Sequence, residues 1–196
     1  MKVVSIVEGD GEVTALPVLL RRIAQWRSPG VYAEIAQPIR VRRDRFLNRA
    51  EEFERHLLLA ARKSGEGDWI LVLFDADDDC PAETAAMVLE RARRVVPHRR
   101  ISVVLANREY EAWFIAAAQS LDGHRGFRFD PQETTAAETP RDAKGWMRLR
   151  MSAGSYGETT DQPAFSAKMD LAQAFDNSRS FRKLCTEWDR VAAAAA

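Results

Sequence analysis

Two runs of apolar, largely β-branched residues each stop abruptly at carboxylates. Val3-Val4-Ser5-Ile6-Val7 runs into Glu8-Gly9-Asp10-Gly11-Glu12, and Ile70-Leu71-Val72-Leu73-Phe74 runs into Asp75-Ala76-Asp77-Asp78-Asp79. Unbroken apolar runs of this length are the signature of buried strands in a parallel sheet. Two more segments read as strands: 32–41, interrupted or ended at Pro38, and 101–106. The segments between them change period. Leu16, Leu19, Leu20 and Ile23 mark one face of a helix over 14–27, with Pro17 tolerated in the first turn and Ser28-Pro29-Gly30 as its stop. Phe46, Leu47, Ala50, Phe53, Leu57, Leu58 and Ala61 predict one long helix over 44–63, N-capped by Asp44. Pro81 opens another, with Met87, Val88, Ala92 and Val95 inward, closed by Pro97. Residues 109–121 read as helix again.

Helices alternating with strands indicate an α/β fold, a parallel-type sheet with helices on both faces. Periodicity then disappears over 122–163, where Gly, Pro, Thr and Asp dominate, and a loop of that length is expected to be functional or mobile. Two helical pieces, 166–175 and 178–191, close the chain, with Phe181, Leu184 and Trp188 facing the core. The expected organisation is an α/β core over 1–121 and a loop-rich, helical extension over 122–196, packed together as one structural domain. Trp113 and Trp146 read as core aromatics rather than base-stacking platforms.

Charge changes this picture locally, not globally. Lys plus Arg equal Asp plus Glu at 29 each, which excludes coating of nucleic acid by net charge alone. The arginines cluster instead, at 40–45, at 91–100 and, with Lys183, at 179–183. Such patches suit a phosphate backbone, although each alone also suits a solvated helix face. No apolar run is long enough for a membrane span and no signal peptide precedes the first strand, so a cytoplasmic protein is expected. Cys80 and Cys185 form neither a metal-binding spacing nor a disulfide framework.

The carboxylates carry the candidate chemistry. Glu8 ends the first strand, Asp75 and Asp77 end the third, and Glu109 and Glu111 follow the fourth. Ligands of open α/β sheets bind beyond the carboxyl ends of strands. Acids gathered there repel one another unless a cation lies between them, and oxygen-only ligands suit Mg²⁺ or Mn²⁺. Gly9 and Gly11 permit a tight turn that brings Glu12 back toward the same ion. Rival motifs are weaker. An EF-hand starting at Asp75 needs glycine where Cys80 stands and glutamate where Ala86 stands. A dinucleotide fingerprint starting at Gly9 lacks its third glycine at Thr14, and no P-loop sequence is present. Phe74-Asp75-Ala76-Asp77 also looks like the first motif of haloacid dehalogenase-type phosphatases, but Asp78 replaces the usual glycine.

The Glu-Gly pair after strand one and the Asp-x-Asp after strand three resemble the Toprim fold of primases, topoisomerases, RecR-type recombination proteins and OLD-family nucleases. Along Val7-Glu8-Gly9, Asp75-Ala76-Asp77, Asn107-Arg108-Glu109-Tyr110-Glu111-Ala112-Trp113, Ala143-Lys144-Gly145-Trp146, Asp161-Gln162 and Ser178-Arg179-Ser180-Phe181, the chain resembles the DUF4276 family, a Toprim-like bacterial group. The resemblance implies Mg²⁺-dependent chemistry on nucleic-acid phosphodiesters, as in a nuclease, with phage defence as its setting. Carried over, Glu8 is acid, base or ligand, Asp75 and Asp77 hold metal, and Glu12 is a second-metal ligand. The same resemblance brings Glu109, Glu111, Lys144 and Lys168 near the site. Two alternatives stay open: a Toprim-like module that binds nucleic acid or protein without turnover beside a separate ATPase, and the phosphatase.

Overall fold

The computed structural model describes residues 1–132 and 135–195; residues 133 and 134 of the expected long loop and the last alanine lie outside the described residues. At its centre is a parallel sheet. β1 (Lys2–Val7) pairs with β4 (Trp69–Asp75), which pairs with β5 (Arg100–Ala106). The other side of β1 takes two short pieces, β2 (Glu34–Ile35) and β3 (Ile39–Arg40), in registers Lys2↔Glu34 and Ile6↔Ile39. These are the expected strand 32–41, split at Ala36-Gln37-Pro38. Proline has no N–H for the ladder, so an edge position next to a break is where it is tolerated.

The chain leaves β1 toward β2 through α1 (Asp10–Arg27), then returns past β1 to β4 through α2 (Arg43–Asn48) and α3 (Ala50–Lys63). The strand order therefore reverses between β1 and β4. Glu8 and Asp75 stand at that reversal, the usual position of a ligand crevice in open α/β sheets.

Successive strand residues point to opposite faces, so each apolar run builds two cores at once. Trp69, Leu71 and Leu73 of β4 face one core with Leu16, Leu19 and Ile23 of α1. Ile70, Val72 and Phe74 face the other with Phe53 and Leu57 of α3 and Val88 of α4 (Pro81–Val95). The first core also takes in α5 (Ala112–Ala116) and α9 (Arg179–Ala193). Trp188 meets Trp69 edge-on at 5.9 Å, and Phe181 meets Trp113 at 5.5 Å. Residues of both expected regions thus share one apolar cluster. Phe181, Leu184 and Trp188 are fully buried, as the periodicity indicates. No helix of the described residues is long and apolar enough to cross a membrane.

Several boundaries differ from the sequence expectation. The helix expected over 44–63 is two helices, because Arg49 is extended (φ −114°, ψ 115°). Asp44 is not the N-cap; it lies in the first turn of α2 and accepts a hydrogen bond from Asn48 at 2.8 Å. Met87 and Leu58, placed inward by spacing, are exposed. Residues 109–111 form a turn, leaving only α5 and a 3₁₀ turn at 118–121. The expected loop contains α6 (Ala143–Leu149) and leads into α7 (Asp161–Ser166). Helix 166–175 is replaced by the end of α7 and by α8 (Leu171–Asn177). Asp170 and Ser178 cap α8 and α9, accepting from the backbone N–H groups of Gln173 and Phe181.

Candidate functional site

The loop after β1 is built on close approaches. Gly9 caps α1 with extended backbone, and a Cβ there would lie 2.3 Å from Glu12 Oε2. A Cβ at Gly11 would lie 2.2 Å from Gln162 Oε1. Both glycines are needed because carboxylate and amide groups press against the backbone from inside. Glu12 is consequently turned inward and 6 % exposed.

From the far side of the sheet edge come Asp75 and Glu111. Asp75 Oδ1 accepts the backbone N–H of Tyr110 at 2.8 Å, which ties the end of β4 to the turn after β5. Glu111 is fully buried, and its Oε1 accepts from Tyr156 Oη at 2.8 Å and Gln162 Nε2 at 3.1 Å. Glu109 acts differently. Its Oε2 accepts the backbone N–H of Lys144 at 2.9 Å, while Asp142, the N-cap of α6, accepts from Gly145 at 2.6 Å. Two carboxylates thus hold the start of α6 and aim its lysine. Lys144 Nζ lies 3.8 Å from Asp75, 3.8 Å from Glu109 and 3.5 Å from Glu158.

Three buried carboxylate oxygens here have no hydrogen-bond partner among the described residues: Oε2 of Glu8, of Glu12 and of Glu111. The Gln162 amide oxygen is likewise buried and unpaired. Desolvation raises the pKa of Glu8, with Asp77 and Glu12 adding repulsion and Arg43 and Lys144 opposing it. Glu12 is raised for the same first reason. Asp75 is pushed well above the usual carboxylate range by burial and then by Glu111 and Glu12. Glu111 is raised to about 7 by burial, against the pull of Lys144 and Tyr156. For Lys144, the surrounding carboxylates Glu111, Asp75, Glu158 and Glu109 outweigh the opposing, and individually largest, effect of burial, so its ammonium is stabilised. The arrangement is a cluster of acids around the ammonium of Lys144, with Arg43 acting on it from the Glu8 side.

The structure brings together Glu8, Glu12, Asp75, Glu109, Glu111 and Lys144 of the expected residues. Asp77 sits on the rim: its carboxylate pairs with Arg43 at 3.3 Å, yet its charge still acts on Glu8. Its neighbours Asp78 and Asp79 pair with Arg108 and Arg43. Lys168 is exposed just beyond α7 and is not among the charges acting on these carboxylates. Sequence reasoning missed Glu158, Tyr156 and Gln162 as site residues, and Arg43 as the partner of Asp77. Asp161-Gln162 was noticeable as a motif, but only the fold shows that Gln162 reaches Glu111. Trp113 is buried as expected, its indole N–H on Ser180 at 2.9 Å, whereas Trp146 is half-buried beneath the Arg150 guanidinium at 3.7 Å.

Among the described residues, no three His, Cys, Asp or Glu side chains converge closely enough to hold a metal ion as they stand. The ammonium of Lys144 stands among the carboxylates instead. The donor set is nonetheless chemically suited to a hard divalent ion: it is all oxygen, and three of those oxygens are buried without a partner.

No curated protein and no solved structure matches the chain. A family model described as a domain of unknown function, DUF4276, matches residues 7–188, from the last residue of β1 to within α9. The match includes every carboxylate and lysine of the cavity, and the chain belongs to the DUF4276 family.

Proposed function

We propose that the cavity is the centre of a Mg²⁺- or Mn²⁺-dependent phosphoryl-transfer enzyme, a nuclease acting on nucleic-acid phosphodiesters in the cytoplasm. The observation that carries this reading is the set of unpartnered buried oxygens on Glu8, Glu12 and Glu111 at the strand-order reversal. An unpaired buried polar atom costs about 1–3 kcal/mol, so three in one cavity mark a place prepared for a positive ligand. The Glu-Gly after β1 and the Asp-x-Asp after β4 also resemble the Toprim arrangement, which supports the same substrate class and a setting in phage defence.

Glu8, Glu12 and Asp75 would hold the ion, with Asp77 available once it leaves Arg43. A divalent ion supplies concentrated positive charge against the phosphate oxygens. Glu111, with its pKa near neutrality, holds or releases a proton at Oε2 behind that first layer. Lys144 opposes charge that develops on the reacting phosphate. Arg40, Arg42 and Arg45 line one surface cavity and flank in sequence Arg43, the partner of Asp77; such a patch suits the strand's backbone, so affinity should fall with salt.

The test is cleavage of single- and double-stranded DNA and RNA with Mg²⁺ or Mn²⁺, against a chelator control. Glu8→Ala and Asp75→Asn should each lower the rate by about 10²-fold or more, the scale expected when charge stabilisation is lost. Unchanged activity in both variants would sink the site, and Asp77→Ala reports whether the rim acid takes part.

One observation favours a second reading, a binding module that works beside a separate ATPase. The protein's own cations already answer its acids: Lys144 in the cavity, Arg43 and Arg108 outside it. That reading expects no Mn²⁺ heat in calorimetry and stable co-purification with an ATPase. Hydrolysis of small phosphomonoesters with a phosphoryl group trapped on Asp75 would select the phosphatase instead.

A further inference from the structure

β5 is the open edge of the sheet, and the fold leaves a slot along it. The carbonyl of Ala106 accepts from Ala76 N–H, so Ala106 faces β4. Edges alternate along a strand, so Ser102 and Val104 also face β4, while Ile101, Val103 and Leu105 direct their N–H and C=O groups outward. Beyond that edge lies a cavity of about 740 Å³. One wall is a single face of α4, formed by Ala82, Ala85, Ala86, Leu89 and Arg93. The opposite wall is a single face of α9, formed by Arg179, Lys183, Glu187 and Arg190. Both helices overhang the sheet, one from each side. The small side chains of α4 leave room between them, and the floor is a row of backbone donors and acceptors.

Natural proteins usually blunt such an edge with charge, proline or a covering element. Here α4 and α9 flank it, leaving Ile101, Val103 and Leu105 only 3–4 % exposed at the bottom of the slot, but no strand among the described residues pairs with it. A row of outward backbone groups between two walls recognises an extended peptide, with main-chain hydrogen bonds giving affinity and the walls giving selectivity. The rim decides the sign of the guest. Among the described residues, Arg93 and Arg179 are exposed and carry no ion pair. The acids on the rim are already used: Glu187 by Lys183, Arg190 and Ser102, and Glu138 by Asn107, Ser178 and Ser180. A second copy of the same edge would bring Arg93 and Arg179 against their own kind.

We propose that the β5 slot docks an extended, acidic segment of a partner protein, which adds to the sheet as a further strand. This surface is separate from the carboxylate cavity and does not depend on its chemistry.

The probe is a displayed library of peptides spanning about seven residues, the length of β5, in which apolar positions alternate with randomised ones. Selection should enrich Asp and Glu at the randomised positions. An enriched peptide, followed by fluorescence anisotropy, should bind about tenfold or more weakly to the Arg93→Glu, Arg179→Glu double variant. It should lose binding to Ala86→Trp, which fills the slot from an exposed helix position and so leaves the core intact. Val103 and Leu105 amides should gain protection from exchange on binding. No acidic enrichment, equal binding by a backbone N-methylated peptide, or undiminished binding to Ala86→Trp would each overturn the proposal. So would a dimer in sedimentation that Ala86→Trp abolishes, or an oligonucleotide that displaces the peptide from the slot.

Discussion

The acids at the carboxyl end of this sheet fall into two groups that differ in environment, not in residue type. Glu8, Glu12, Asp75 and Glu111 are turned into the protein, lean on desolvation and mutual repulsion, and share one ammonium. Asp77, Asp78 and Asp79 follow Asp75 after Ala76 but stand more than half exposed, each beside an arginine. A few residues of chain separate Asp75 from Asp79, and burial changes what the carboxylate can do. The inner group is costly to the fold, a cost that the proposed metal ion would relieve. The outer group is cheap to keep, because each of its members has a surface ion pair.

The largest effect should come from removing the inner group's cation. Lys144→Met leaves at least three carboxylates facing one another without compensation. Breaking a buried pair from one side costs about 3–5 kcal/mol, and the half-buried position of Lys144 puts its loss near the lower end. The variant should melt lower in chelator, more so at pH 8 than at pH 5, where the carboxyl groups escape by protonating. Mn²⁺ should restore its melting temperature by a larger increment than it gives the unmodified protein. Thermal denaturation with and without Mn²⁺ checks this. If the ion restores nothing, the inner acids are an electrostatic scaffold for Lys144 and not a metal site.

The next effect is a pH dependence. Glu111 has its pKa raised to about 7 in the folded protein, above its ordinary value of 4.5. Between those values the folded state holds a proton that the unfolded chain has lost, so stability falls as pH rises through that window and levels off above it. A shift of this size corresponds to about 3 kcal/mol as an upper bound, because Lys144 and its neighbours titrate with it. Glu111→Gln keeps the shape and the Tyr156 contact, and should flatten the profile between pH 5 and pH 8 in urea denaturation. An unchanged slope would move the titration elsewhere in the cavity.

Smaller still is the backbone effect of Gly11→Ala. The added methyl must displace the Gln162 amide, which is buried and donates to Glu111. Because Gln162 has little space to yield, the cost should be about 1–3 kcal/mol, the range for forced overpacking. Gln162→Ala in the same background should return part of that loss.

The strands and the acids at their ends were legible because both signals are local: a buried strand is a short apolar run, and a run that stops at Glu or Asp announces its own end. Glu8 and Asp75 followed directly. What the chain order could not show was which acids would turn inward. Glu109 and Glu111 look alike after β5, yet one caps α6 and the other is buried beneath Tyr156 and Gln162. The helix that brings Lys144 was hidden inside a stretch rich in turn formers, because α6 spans only seven residues and has too little length for an apolar stripe. Arg43 was visible only as one arginine in a basic run. Its pairing with Asp77 and Asp79 spans the gap between α2 and the β4 end, and no spacing rule encodes that.

The smallest expected effect lies in the outer group, and it tests the division most directly. Asp79→Asn removes an exposed carboxylate whose partner is a single arginine, so stability should change by no more than about 1 kcal/mol. Mn²⁺ affinity should stay within about twofold, because the charge lies on the solvent side and is screened over roughly a Debye length. Asp77→Asn should fall between this variant and Glu8→Gln: its charge reaches Glu8, and its left-handed backbone (φ 51°) is one that asparagine also tolerates. Calorimetric titration of the three variants places them in order. Should Asp79→Asn weaken Mn²⁺ binding as much as Glu8→Gln does, burial would not be what separates the two groups. The ion would then belong at the rim, among Asp77 and Asp79, with Arg43 displaced to admit it.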